Sequence, residues 1–538
     1  MKAINRMLSS RACRCLCALV GLAVLVDMVL PSSIAQAQGS RQQPAGTQIQ
    51  STTTLLDVAP AQVRTRADME QAMATRAPVS QPPMVPFRPT MSDFEYGLAK
   101  NAAAGDAMSG PKSLNLNPPS EPLTGPIQTG ADFDGVDRTV AGGGFPPDTH
   151  GAVGVDQYVQ ATNSHLDVYD LSGTPLLGVD FASFFGYTAR TIFDPRVVYA
   201  STWNRWVISA EAFPESPTIQ LQFLAISRSS DATGPFFIYA FNVLFNPNFF
   251  WDFPQLGMDQ DAVIVTANYF NGPAFVDARA FAVAKARLYN GLGFSVPLFT
   301  GLCGTLAPPI VLDQNASTFL VCARPAGTII TKYTLRDSSR PNGTSLVAAS
   351  ITVPAYSVPP NARQPGTTAR LDTSDSRFVN ASTQNGNSLW QVHTVALGTF
   401  PGPKYYEFNT TTNTVIRSAF FFASGTSDDW NASIAANPAG DVFVTWSDTD
   451  TPGDVNAQVR FSGRCHGDPP DIGAGVAVVT SPTFSSQFDG SLFRWGDYSA
   501  VALQPTDANM AWLVNEWTVD SPIWGSHITQ IGFSPPCP

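Results

Sequence analysis

The 538-residue sequence predicts an all-β fold assembled from repeats, and three observations carry that expectation. Hydrophobic residues make up 44% of the chain and charged residues only 14%, which excludes a disordered protein and a coiled coil. The 41 glycines, 44 prolines and 35 phenylalanines, with frequent Val and Thr, suit many short strands joined by tight turns. From about Gly130 one unit recurs: a short apolar strand, a turn, and a second apolar strand ending in polar residues. The formal net charge of −11 comes without any basic block, which argues against nucleic acid and against a cationic membrane arm.

Taken in order, the chain opens with an export signal. Lys2, Arg6, Arg11 and Arg14 precede an apolar run from Cys15 to Leu30 that Asp27 interrupts, and Ala35-Gln36-Ala37 supplies a signal-peptidase pattern. Residues 1–37 are therefore expected to leave as a signal peptide, giving a secreted or periplasmic protein with no membrane attachment after cleavage. Residues 38–128 are rich in Pro, Gln, Ser and Thr and predict a flexible extension, with one short helix over 93–108.

Residues 129–538 carry the repeat. Its copies pair GAVGV (151–155) with YVQATN (158–163), RVVYA (196–200) with WVISAE (206–211), and QLGMD (255–259) with AVIVTAN (262–268). PIVLD (309–313) pairs with TFLVCAR (318–324), and RFVNA (377–381) with SLWQVHT (388–394). SIAAN (433–437) with DVFVTWS (441–447) and SAVAL (499–503) with MAWLVNE (510–516) complete the series. The small apolar first strands suit crowding round a central axis, so the expected architecture is a seven-bladed β-propeller, against a pair of β-sandwiches. Four cysteines remain after export, Cys303, Cys322, Cys465 and Cys537, which an oxidising compartment would join as two disulfides. Of three possible connectivities, Cys303–Cys322 within one local unit and Cys465–Cys537 at the C-terminus are expected, the latter helping to close the ring.

In a propeller, residues before each first strand and at the end of each second strand meet around one funnel mouth. Before the first strands stand Asp148 with His150, Asp194, Asp252, Asp375, Asp429, and Asp497 with Arg494; Arg196 and Arg377 begin first strands themselves. The second strands end in Asn163, Glu211, Asn268, Arg324, His393, Ser447 and Glu516. Glu211 and Glu516 are candidate catalytic acid and base or nucleophile, and His393 is the alternative base. Arg196, Arg324, Arg377 and Arg494 would bind substrate with Asp148, Asp194, Asp252, Asp375 and Asp497. Trp203, Trp251, Trp430 and Trp495 near the mouth suit stacking on sugar rings. Structural uses compete throughout: aspartates cap turns, the glutamates can pair with Arg196 or Arg494, His393 can pack, and aromatic rings can fill the space between blades.

No cofactor is required by this chemistry. Calcium is the one ion with a candidate site, Asp132, Asp134 and Asp137 in DFDGVD, although Gly143 stands where an EF-hand has its Glu. His150, His165, His393, His466 and His527 fall too unevenly along the repeats for a four-His iron centre.

The segment Ser227-Arg228-Ser229-Ser230-Asp231-Ala232-Thr233-Gly234 is close to the S-x-S-x-D-x-G form of an Asp box. With PPDTHGAVGVDQYVQ (146–160), SIAANPAGD (433–441) and RWGDYSAVALQP (494–505), it resembles bacterial secreted propellers related to sialidases and Asp-box (BNR-repeat) proteins. That resemblance covers about 130–538 and implies a glycosidase, polysaccharide lyase or lectin; the expected partner is a polysaccharide or glycan, and the expected state a monomer. The sialidase set of three arginines, a Tyr/Glu pair and an Asp has no placement here. The expected function is a glycoside hydrolase-like or lyase-like propeller, the alternative a non-catalytic glycan- or protein-binding scaffold.

Overall fold

Short Val-, Ala- and Phe-rich runs separated by turn residues fold here as antiparallel meanders. The computed structural model of the chain describes residues 48–49, 55–76, 84–85, 87–105, 127–213, 218–243, 245–247 and 249–538. The expected signal peptide lies outside the described residues.

Group I of strands comprises His150–Val153, Gln157–Thr162, His165–Asp170 and Pro175–Asp180, hydrogen-bonded in that order. Group II follows with Thr191–Ala200, Arg205–Phe213, Leu221–Ser227 and Phe236–Asn242. Group III contains Phe249–Met258, Ala262–Asn271, Ala274–Ala284 and Phe299–Leu302. Group IV has Pro309–Val311 innermost, then Ser317–Ala323, Gly327–Arg336 and Ser345–Tyr356. Group V holds Ser382–Asn385, Ser388–Leu397, Phe400–Asn409 and Thr414–Phe420. Group VI holds Asp428–Ala436, Val442–Asp450, Val455–Arg464 and Val476–Thr480. In group VII, Ala500–Leu503, Met510–Asp520 and Ile523–Phe533 are completed by Ile127–Asp137, from far earlier in the chain.

The first strands neighbour one another in cyclic order, I through VII and back to I. Their small residues make that possible: a Cβ on Gly257 would lie 2.6 Å from the Pro309 carbonyl oxygen of the next group. Pro309–Val311 pairs in parallel with Phe249–Met258 and with Ser382–Asn385, which joins groups III and V into one nine-stranded sheet. Apolar clusters fill the space between neighbouring groups, for example Val159, Val197, Trp206 and Ile208 between I and II.

Three expectations need correction. The fifth first strand is Ser382–Asn385, not RFVNA (377–381); Ser376 has φ 44°, and the chain enters the axis as irregular backbone before straightening. The ring is closed by Ile127–Asp137 pairing antiparallel with Ile523–Phe533. Cys465–Cys537 (Cα–Cα 5.5 Å) forms as expected but ties the C-terminal tail to group VI, and Cys303–Cys322 (Cα–Cα 6.1 Å) also forms. Last, the extension is partly ordered. Leu55–Val58 pairs with Phe294–Pro297, and Gln62–Arg64 with the outer strand of group II. Helix α1 (Arg66–Thr75) begins in a Thr65/Asp68 capping box. Sheet edges are what an otherwise polar segment can bind through its backbone. Helix α2 (Asp93–Gly105) occupies the segment expected to be helical.

Candidate functional site

Six residues before or within the first strands adopt left-handed backbone: Asp148, Asp194, Phe253, Thr305, Ser376 and Asn431, with φ between 44° and 58°, and Asp194, Phe253 and Asn431 fall where the strand register slips. Such conformations cost roughly 1–2 kcal/mol each for a residue with a Cβ. Neighbouring groups hold them in place. The Asp194 N–H donates to Asn163 Oδ1 (2.8 Å), the Phe253 N–H to Glu211 Oε1 (3.2 Å) and the Thr305 N–H to Asn268 Oδ1 (2.6 Å). The polar residues ending the second strands of groups I, II and III are therefore clips onto the following group. Glu516 does a similar job within group VII, where Oε2 accepts from the Gly496 N–H at 2.5 Å.

The expected mouth residues do converge at one end of the axis, but most are sealed there. Glu211, Glu516, His393, Arg196, Arg377, Arg494, Asp148, Asp194, Asp252 and Asp375 are all buried. Asp497 is partly buried. Arg324 is exposed at the end of its strand and takes no place in the cluster.

Residues 84–85 and 87–105 form the lid of this end. Arg88 Nη1 donates to Asp252 Oδ2 (3.0 Å), the Thr90 N–H to Asp375 Oδ2 (3.1 Å), and Lys100 Nζ to Thr373 Oγ1 (2.8 Å). The Tyr96 hydroxyl donates to Asp372. From below, Arg494 Nη1 donates to the Val85 carbonyl (2.7 Å) and Arg377 Nη2 to that of Arg88 (3.1 Å), with Phe87 stacked under both guanidinium groups. The space left beside Asp372, Arg377, Trp430 and Asp497 is about 20 Å³. That holds one water molecule and no sugar ring.

The axis is blocked below the lid. Arg196 crosses it, donating to the carbonyls of Pro254 (3.1 Å) and Val379 (2.9 Å) and to Asn380 Oδ1 (3.1 Å). Its guanidinium lies 3.3 Å from the Tyr498 ring centre, and Tyr498 packs with Phe253 and Val379.

Burial dominates the ionisation of this cluster. It pushes the Glu211 carboxyl well up, reinforced by Asp252 and Asp194, and it raises Glu516 and Asp194 likewise. Asp497 is pushed up to about 7. His393 is pulled down to about 3 by burial; Nδ1 meets the Ser376 carbonyl (2.8 Å), Nε2 meets the Tyr406 hydroxyl (3.2 Å), and aromatic rings surround it. Such a histidine is a packed, neutral core group. Asp194, Glu211 and Asp252 each offer a carboxylate oxygen within 4.8 Å of the others, the one all-carboxylate grouping among the described residues that could hold a cation.

Other expected roles change. Trp430 and Trp495 are buried edge to face at 5.5 Å, with Trp495 Nε1 donating to Ser447 Oγ, so neither ring faces a ligand. Trp251 is buried between groups II and III, and Trp203 lies on the first hairpin turn of group II, at the other end. Asp132 and Asp134 are claimed by His527 (2.8 Å each), while Asp137 caps the turn to Thr139 and Val140. These carboxylates are thus engaged within the protein, and the three are not among the described acid groups whose oxygens come close enough to share an ion. The Ser227–Gly234 segment is a structural turn in which Asp231 Oδ1 accepts from Thr233 and from Gln157.

The opposite end of the axis is open. A cavity of about 260 Å³ runs between the first strands to their hairpin turns, walled by Val153, Val197, Met258, Val311, Ile434 and Val501. His150, expected at the mouth, lines this cavity, as do Lys285 and Ser382. Sequence reasoning missed Lys285, Ser382 and the whole lid. The Tyr96/Lys100 spacing on one helical face was the available signal for the lid; nothing in the sequence around Lys285 pointed inward.

The sequence matches no family model, and no curated protein matches it. Sialidase, neuraminidase and glycoside hydrolase propellers are among the similar solved structures. One is the hemagglutinin-neuraminidase of parainfluenza virus 5 with ligand DANA, at 11% identity over 68% of this chain and 92% of that one, TM-score 0.33. Another is the GH93 α-L-arabinofuranosidase of Fusarium graminearum with arabinobiose, at 9% identity over 77% and 99%, TM-score 0.33. The WD40 domain of SCAP from fission yeast is similar to the same degree, 7% over 78% and 97%, TM-score 0.31. Likeness this distant carries no argument about chemistry.

Proposed function

We propose that the chain is an exported, seven-bladed β-propeller that binds a ligand rather than cleaving one. The observation that carries this is the sealed mouth: the lid fills it, and Glu211, Glu516 and His393 each hydrogen-bond to the framework around them. A general acid and base must reach the bond they break. Here both carboxylates hold backbone N–H groups under a lid, and an accessible cavity with largely apolar walls lies at the far end. Incubation with a panel of polysaccharides should yield neither new reducing ends nor unsaturated products. Turnover that Glu211→Gln or Glu516→Gln abolishes would overturn the proposal.

A second reading, a glycoside hydrolase-like propeller latent under its lid, draws on the Asp194, Glu211 and Asp252 grouping beside Arg88. It expects hydrolysis to appear when the lid is loosened by Arg88→Ala with Lys100→Ala. The binding proposal expects none.

A further inference from the structure

The cavity at the open end has a specific polar inventory. Most side chains that could hydrogen-bond into it are already occupied. Asp259 accepts from the N–H groups of Asp261 (2.9 Å) and Ala262 (2.7 Å) and from the hydroxyls of Thr318 (2.7 Å) and Ser338 (2.6 Å). Ser433 and Ser499 bond to each other (2.9 Å). Asn380 accepts from Arg196 and donates to the Ala432 carbonyl.

Three groups stand apart. Lys285 is 5% exposed, and among the described residues no acceptor lies within hydrogen-bond or ion-pair distance of its ammonium. Ser382 Oγ is buried with no partner. His150 accepts the Val197 N–H at Nδ1 (3.2 Å), so its neutral ring carries the hydrogen on Nε2, for which no acceptor is present among the described residues. Ser382 Oγ is sealed, and a sealed group left unmet is costly, whereas Lys285 Nζ and His150 Nε2 are not among the sealed unpaired atoms and belong to residues that line the cavity. Donors unmatched in an apolar enclosure mark where a ligand's acceptors belong.

We propose that this cavity binds a small carboxylate with an apolar body, its charge met by Lys285 and its chain packed along the first strands. This deepens the binding proposal above and rests on it. Asp259 and Asp261 attract the Lys285 ammonium only from beyond hydrogen-bond distance, and Asp259 is already taken by four donors, so the ammonium keeps its hydrogen bonds for a ligand carboxylate. The six aliphatic wall residues argue for a hydrocarbon body rather than a polyol. A volume of about 260 Å³ admits a molecule on the order of ten non-hydrogen atoms.

Octanoate is the probe, with octan-1-ol as the uncharged comparison, both titrated calorimetrically into the intact protein. Octanoate should bind at least about tenfold more tightly than octan-1-ol, and Lys285→Met should erase that preference while leaving octan-1-ol affinity unchanged. Ala435→Leu, which adds bulk to the wall, should abolish binding of both, with circular dichroism confirming that each variant is folded. Absence of octanoate binding at millimolar concentration would overturn the assignment, as would binding indifferent to both substitutions. Failure here is separable from failure of the binding proposal itself, because only polysaccharide turnover contradicts the latter.

Discussion

The two ends of one axis are built from the same strand repeat and arrive at opposite solutions. At the sealed end, acids and arginines are buried in pairs, closed over by the lid, and used to hold left-handed backbone and neighbouring blades. At the open end the walls are largely aliphatic, and a few polar residues of the lining, Lys285 and Ser382 among them, lack a side-chain hydrogen-bond partner among the described residues. Charge density therefore marks the wrong end. A polar cluster that satisfies itself stabilises the fold, and a sparse set of unmet donors is the better sign of binding.

The largest test of this contrast is Arg494→Ala. Its guanidinium is fully buried against Asp497, Asp489 and the Val85 carbonyl, so truncation strands acids in the interior. A loss of about 3–5 kcal/mol is expected by chemical denaturation. Next comes Asn268→Ala, which removes the acceptor for the left-handed Thr305 N–H and should cost about 1–3 kcal/mol. Glu211→Gln should cost under about 1 kcal/mol, because burial, with Asp252 and Asp194 beside it, pushes that carboxyl toward its neutral form and the amide keeps an acceptor oxygen. A large loss in Glu211→Gln would mean that its charge, absent from this account, matters.

The sealed end should also show in the pH dependence. Asp497, pushed up to about 7, keeps its proton in the folded state where the unfolded chain loses it near pH 4. Its contribution to stability is therefore present below about pH 4 and is lost as pH rises toward 7. His393, held down to about 3, works in the other direction below about pH 6.5. Comparing urea midpoints at pH 5 and pH 7.5 isolates the first effect: wild type should lose more stability over that interval than Asp497→Asn.

Much of the architecture was legible in the sequence, because small apolar first strands followed by turns leave a repeat that burial alone enforces. The first strands expected to begin near 151, 196, 255, 309, 433 and 499 all overlap observed strands, although those of groups II, III and VI begin about five residues earlier, at Thr191, Phe249 and Asp428. The fifth was displaced because Arg377-Phe378-Val379 looks like a strand but serves as the irregular entry that carries the axial plug. Ile127–Asp137 was overlooked as a closing strand since its partner lies about four hundred residues away and no local pattern reports it. The convergence of Glu211, Asp194 and Arg494 was also legible; their purpose was not. An Asn or Glu at a strand end reads the same whether it faces water or the next blade's N–H, and only packing tells the two apart.

The open end should respond with the opposite sign and smaller size. Lys285→Met removes a desolvated ammonium that makes no hydrogen bond among the described residues and should leave stability unchanged or raise it by about 1 kcal/mol. Lys285 is pulled down to about 8 by burial, against the attraction of Asp259 and Asp261, so octanoate affinity should fall as pH rises through that value. Trp203→Ala, at the exposed rim, should change stability by less than about 0.5 kcal/mol.

The central claim is that the charged end stays shut in the native protein, and amide hydrogen exchange tests it most directly. The N–H groups of Phe253, Gly496 and Thr90, which donate to Glu211, Glu516 and Asp375, should exchange as slowly as those of the core strands. Exchange of these three at the rate of the exposed Ser172 and Thr174 turn amides would show a lid that opens freely, and would contradict the account.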